Sequence, residues 1–137
     1  MGIAGEPLEV VASYLASFAT GNPDAISAHV SEDFENIHTS ALAEPSSGRA
    51  TYRERLPGFL HEFDGVTYEI VETFAEDNRV AVAYTMRANY RGSQIEIQGM
   101  FRFLVSEDLI TQRVDYFDGL NFLKQTGGTE PEGLLGD

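Results

Sequence analysis

RVAVAYTMRANYRGSQIEIQGMFRFLVSEDLITQRVDYFDG, residues 79–119, is the stretch whose reading decides the fold. A strand sends successive side chains to opposite faces, and three runs here keep that period of two: 79–90, 94–105 and 109–118. The breaks between them, Arg91-Gly92 and Ser106-Glu107-Asp108, hold turn residues and are short enough only for hairpins. Consecutive strands therefore pair antiparallel. Upstream, 66–75 carries the same alternation and reaches 79 through Glu76-Asp77-Asn78, which makes a meander of four strands. Strands of this length must bend to stay compact, so the sheet is strongly curved.

Working back from the sheet, the period becomes helical. Leu8, Val11, Ala12, Leu15 and Phe18 recur on one face, with Pro7 suited to a first turn and Gly21 just past the end. A shorter helix follows Gly21-Asn22-Pro23-Asp24, carrying Ile26, His29 and Val30. Residues 34–38 read as a brief strand and 43–48 as a loop. Tyr52, Leu56, Phe59, Leu60 and Phe63 mark a third helix, which Pro57 and Gly58 are expected to distort. The class is α+β: three N-terminal helices packed on a strongly curved antiparallel sheet. One domain spans 1–125, and 126–137, with four Gly and three acids and no periodicity, reads as a flexible acidic tail.

Composition narrows the partners. Nine basic against 22 acidic residues leave a net charge of −13, which repels nucleic acid and anionic membrane surfaces. No apolar run reaches the roughly 18 residues of a membrane span, and the N-terminus lacks the pattern of a secretory signal, so a cytoplasmic protein is expected. The absence of cysteine removes disulfides, thiolate metal sites and a thiol nucleophile. Nucleotide-binding glycine loops, GxSxG and HExxH are absent, and His29, His38 and His61 lack ligand spacing, so no metal is expected.

Alternation also sorts the chemistry. The last strand puts Arg113, Asp115 and Phe117 on one side, and Asp115 between apolar neighbours is placed as a catalytic carboxylate would be. Strand 79–90 divides into a face of Val80, Val82, Tyr84, Met86, Ala88 and Tyr90 and a small, polar face of Ala81, Ala83, Thr85, Arg87 and Asn89. The small face reads as the one bearing chemistry, with Arg87 a buried cation partnered by Asp115 and Asn89 beside it. Phe18, Phe59, Phe63 and Phe117 are core aromatics that also supply candidate ligand contacts.

FATGNPDAI (18–26), SGRATYRERL (47–56) and DYFDGLNFLKQTG (115–127), in this order of elements, resemble the nuclear-transport-factor-2-like superfamily and, within it, the SnoaL-like polyketide cyclase branch. The resemblance implies a cone-shaped fold around a pocket, a homodimer through the outer sheet face, and action without a cofactor on small apolar, often cyclic molecules of polyketide or steroid kind. AYTMRAN (83–89) and VDYFD (114–118) are similar to limonene-epoxide hydrolases, with Arg87 and Asp115 matching and Asn89 replacing an acid. A neutral amide cannot protonate an epoxide oxygen, which makes epoxide hydrolysis the minor alternative. The first 38 residues are similar to ketosteroid isomerases: Tyr14 stands where their oxyanion-binding tyrosine does, His38 where their base does, and Gly99 replaces their second donor. The leading expectation is a cyclase-like or isomerase-like enzyme that removes a proton next to a carbonyl. Asp115 or His38 is its base, and Tyr14, Arg87 and Asn89 are its oxyanion donors. The alternative is a binding protein that carries a hydrophobic molecule in the same pocket, and a third is a dimerisation module.

Overall fold

The computed structural model describes residues 6–39 and 45–127. Its elements run α1 (Pro7–Ser17), a 3-10 turn (Phe18–Thr20), α2 (Pro23–Ser27), β1 (Val30–His38), β2 (Ser46–Ser47), α3 (Arg49–Glu62), β3 (Phe63–Glu76), β4 (Arg79–Tyr90), β5 (Ser93–Ser106), β6 (Leu109–Phe117) and α4 (Gly119–Gln125). This is the α+β class expected. The third helix continues through Pro57, which is exposed. The acidic tail expected from 126 onward lies outside the described residues beyond Gly127.

Local chemistry explains the boundaries. Pro7 and Pro23 open α1 and α2, where a missing N–H costs nothing, and the Asn22 side chain caps α2 by accepting from the Asp24 N–H at 2.9 Å. Gly21 ends the 3-10 turn that follows α1 in the left-handed conformation at φ 65°. Arg91 and Gly92 both take positive φ between the paired residues Tyr90 and Ser93, as a two-residue hairpin of the primed kind requires.

Six strands form one sheet in the order β2-β1-β6-β5-β4-β3. β3 to β6 are the antiparallel meander. The strand expected at 34–38 is longer, starts at Val30, and pairs parallel to β6, so the sheet is mixed rather than wholly antiparallel. Ser46–Ser47, expected within a loop, adds a short antiparallel edge to β1, and α4 is a fourth helix that the alternation did not announce. Bulges in the β3–β4, β5–β6 and β1–β6 pairings let these strands bend, and the sheet stays open. α1 and α3 cover its concave side. Val11, Tyr14, Leu15, Phe18, Tyr52 and Leu56 pack there against Val82, Tyr84, Phe101 and Phe103. Each such aromatic or aliphatic side chain removed from water contributes about 1.5–3 kcal/mol, which is why the large face of β4 turns inward. Among the described residues, no helix is long and apolar enough to cross a membrane.

Candidate active site

The parallel pairing of β1 with β6 builds the site. Its register sets Asn36 beside Arg113 and His38 beside Asp115, and because each pair is two residues from the next, all four side chains share the concave face. Arg113 and Asp115 are buried, at 6% and 8% exposure. The Arg113 Nε donates to Asn36 Oδ1 at 2.9 Å and its Nη1 donates to the Tyr14 hydroxyl at 3.0 Å. Its carbon centre stands 5.0 Å from the Phe101 ring centroid. Tyr14 is itself bonded to the Tyr52 hydroxyl.

Asp115 is held from the other side. The Tyr84 hydroxyl donates to Asp115 Oδ1 at 2.7 Å, while His38 Nδ1 lies 3.7 Å from Asp115 Oδ2. Tyr84 stands on β4 and Asp115 on β6, so its side chain must cross β5, and it does so above Gly99, its register partner. A Cβ at Gly99 would meet the Tyr84 hydroxyl at 2.5 Å and its ring at 2.7 Å. The ring also stacks on Phe101, with centroids 4.2 Å apart.

Electrostatics fix the charge states of the buried tyrosines and of Arg113. Burial pushes the hydroxyls of Tyr14, Tyr52, Tyr68 and Tyr84 above a tyrosine's usual range, so they remain neutral donors. Burial alone would lower Arg113, but the surrounding tyrosine hydroxyls and Asp115 more than offset it and its pKa is raised. The guanidinium is a permanent charge in the wall.

Two adjoining cavities meet at this wall. The larger, of about 400 Å³, is bounded by Phe18, Asn36, His38, Ser46, Tyr52, Arg55, Leu56, Phe59 and Arg113. The smaller, of about 210 Å³, is bounded by Asp115, Tyr84 and a largely aromatic set that includes Phe59, Phe63, Phe117 and Phe122. His38, Phe59 and Arg113 border both. Their volumes lie near the range of small-molecule sites.

The structure thus gathers His38, Asp115 and the four phenylalanines expected at the pocket. Tyr14 stands one layer behind it, fully buried and reaching the cavity wall through Arg113 and Tyr52. Arg87 and Asn89 are not there, which corrects the expected Arg87–Asp115 pair. Both lie on the convex face, where Arg87 is exposed and bridges Glu69 at 2.6 Å and Glu96 at 2.9 Å. The small face of β4 turned outward because burying Val82, Tyr84 and Met86 removes more apolar surface than burying alanines. The cation of the site is Arg113, which the alternation in β6 had already set beside Asp115. Tyr84, Tyr52, Asn36 and Ser46 carried no local signal, since their place depends on long-range pairing.

A helix-covered, open curved sheet with a polar cluster in its concave wall defines a protein of the nuclear-transport-factor-2-like class. Within that class the chain belongs to the SnoaL-like domain family, whose model matches residues 11–113. Comparison of the sequence with curated proteins gives no match. A protein of Catenulispora acidiphila DSM 44928 with a ketosteroid isomerase-like fold, in complex with trimethylamine, superposes with TM-score 0.80 at 17% identity over 88% of this chain and 94% of its own. TerC co-crystallized with polyporic acid gives 0.77 at 20% identity, over 89% and 98%. A LEH-like epoxide hydrolase of M. tuberculosis gives 0.76 at 19% identity, over 91% and 92%. At these identities the likeness is one of fold, and relatives in it hold small molecules.

Proposed function

We propose that this protein is a cofactor-free enzyme that removes a proton next to a carbonyl on an apolar cyclic molecule, as an isomerase or cyclase does. The observation that carries the reading is one carboxylate, Asp115, fixed by Tyr84 and facing His38 at 3.7 Å in an aromatic cavity that also holds a buried guanidinium. Between the two candidate bases, the geometry favours His38. Asp115 has one oxygen engaged by Tyr84, and the other faces His38 Nδ1, an arrangement in which a carboxylate orients an imidazole. The 3.7 Å separation is longer than a hydrogen bond, and such contacts commonly tighten once substrate is bound.

In this mechanism His38 Nε2 takes the proton from the carbon, and the electron pair of that C–H bond moves to the carbonyl oxygen. Asp115 stabilises the imidazolium. Arg113 faces the enolate, and one well-placed donor of this kind is worth about 3 kcal/mol. Return of the proton to another carbon of the conjugated system gives isomerisation. Addition of the enolate carbon to a second carbonyl gives ring closure.

The test is hydrogen exchange of 2-tetralone in heavy water, followed by NMR. The protein should accelerate exchange, and His38→Gln and Asp115→Asn should each lower the rate by about 10²-fold or more while circular dichroism is unchanged. Undiminished exchange in both variants would overturn the assignment. If the ketone binds without exchange, the protein is a carrier.

The same reading includes a homodimer through the convex face, where Phe74, Met100 and Tyr116 are exposed. Sedimentation should show twice the monomer mass and Phe74→Glu should shift it toward monomer. A monomer at about 100 μM would exclude an obligate dimer.

A further inference from the structure

Three features of the site bear on the charge of the molecule it holds. Ser46 Oγ and His38 Nδ1 are buried without a hydrogen-bond partner, although buried polar atoms are nearly always paired. Both residues border the larger cavity. The third feature is Arg113, whose Nε and Nη1 are engaged by Asn36 and Tyr14, neither of which carries charge. Among the described residues no carboxylate oxygen lies within 4.0 Å of its guanidinium, so this buried cation feels Asp115 only from farther off and has no direct anionic partner. Arg55, from α3, adds a second positive charge at the edge of the same cavity.

We infer that the molecule held here is an anionic, ring-bearing keto acid, with its ring in the smaller aromatic cavity and its carboxylate in the larger one against Arg113, Arg55 and Ser46. A guanidinium fork matches a planar pair of oxygens, and in a β-keto acid the carbonyl and carboxylate oxygens form such a pair. Held that way, the carbon between them lies next to both groups that face Arg113, and its proton is the one offered to His38. The inference rests on the proposed function for the place of the carbonyl but not for the charge of the ligand. A net charge of −13 does not forbid an anion here. Surface charges are screened within about 8 Å at about 0.15 M salt, whereas a buried cation acts at short range through a poorly screening interior.

The probe is 1-hydroxy-2-naphthoate, a stable likeness of an enolised β-keto acid, compared with its neutral isostere 1-hydroxy-2-naphthamide. The chain contains no tryptophan, so naphthalene fluorescence reports binding directly. At about 0.15 M salt the naphthoate should bind at least about tenfold more tightly than the amide. Arg113→Gln should erase that ratio. Arg55→Gln, at an exposed position, and Ser46→Ala should each reduce it several-fold without unfolding the chain. Equal affinities, a tighter amide, or no binding of either probe would overturn the inference. Equal affinities together with exchange of 2-tetralone would sink the keto acid and leave the proton abstraction standing. A strong preference for the naphthoate with no exchange of any ketone would do the reverse.

Discussion

At Gly99 one missing atom decides the geometry of the site. A Cβ there would meet the Tyr84 hydroxyl at 2.5 Å and the Tyr116 carbonyl oxygen at 2.7 Å, distances that cannot be met without displacing the tyrosine or spreading β5 from β6. Gly99→Ala should therefore cost about 1–3 kcal/mol in urea unfolding and also reduce exchange of 2-tetralone, because Asp115 loses its fixed donor. Tyr84→Phe, which removes the donor without a clash, should show the activity loss with a smaller loss of stability. An alanine variant as active and stable as the parent would mean that Tyr84 does not need this gap. In the sequence Gly99 was legible only as a departure from the isomerase pattern, where it stands for a lost acid. Its positive role, as the gap that a side chain from the strand before it crosses, requires the register of three strands. The arginines teach the same lesson: Arg87 and Arg113 each lie two residues from a polar partner, and only burial distinguishes the surface bridge from the wall of the cavity.

Among the elements, the hairpins were the most legible, because turn residues and a period of two are local signals. The β5–β6 turn uses Glu107 and Asp108 at φ 50° and 69°, a left-handed conformation that side chains with a Cβ disfavour. Glu107→Gly should relieve about 0.5–1 kcal/mol after allowing for the extra freedom of glycine in the unfolded chain, raising the urea midpoint with no change in slope. A lowered midpoint would show that the glutamate side chain contributes more than its backbone costs. The β1–β6 pair was the least legible element. Residues 30–38 lie about eighty positions before their partners, carry Glu32, Asp33 and Glu35 on the exposed side, and show only Val30, Phe34 and Ile37 as strand formers, so alternation identified a fragment. That parallel pair brings His38 to Asp115. The fold could thus be read from its hairpins while the site, which hangs on one long-range pairing, could be read only in part.

Across the whole molecule, the site is also a store of stability that depends on pH. Tyr14, Tyr52 and Tyr84 sit in the core and Tyr68 packs against it, and burial is the first cause that raises the pKa of each. Each therefore binds its proton more tightly folded than unfolded, where tyrosine titrates near about pH 10. The contribution is fully present below that value and is lost as pH rises past it, at about 1.4 kcal/mol per group per pH unit once the unfolded tyrosine is ionised. Several such groups acting together remove a few kcal/mol as pH rises past about 10, a substantial part of the stability of a small domain. The chain should unfold cooperatively soon after about pH 11, and tyrosinate absorbance from these four should rise with the loss of circular dichroism rather than before it. The chain has one lysine, Lys124, and no cysteine, and the rest of the tyrosine absorbance comes from Tyr90 and Tyr116 alone. Tyr52→Phe should make the alkaline fall of the urea midpoint shallower, because one fewer proton is bound more tightly in the folded state. Ionisation of these tyrosines near pH 10 with native circular dichroism retained would mean that water reaches the concave face freely, and a cavity wall built on a permanently charged Arg113 among neutral hydroxyls would have to be abandoned.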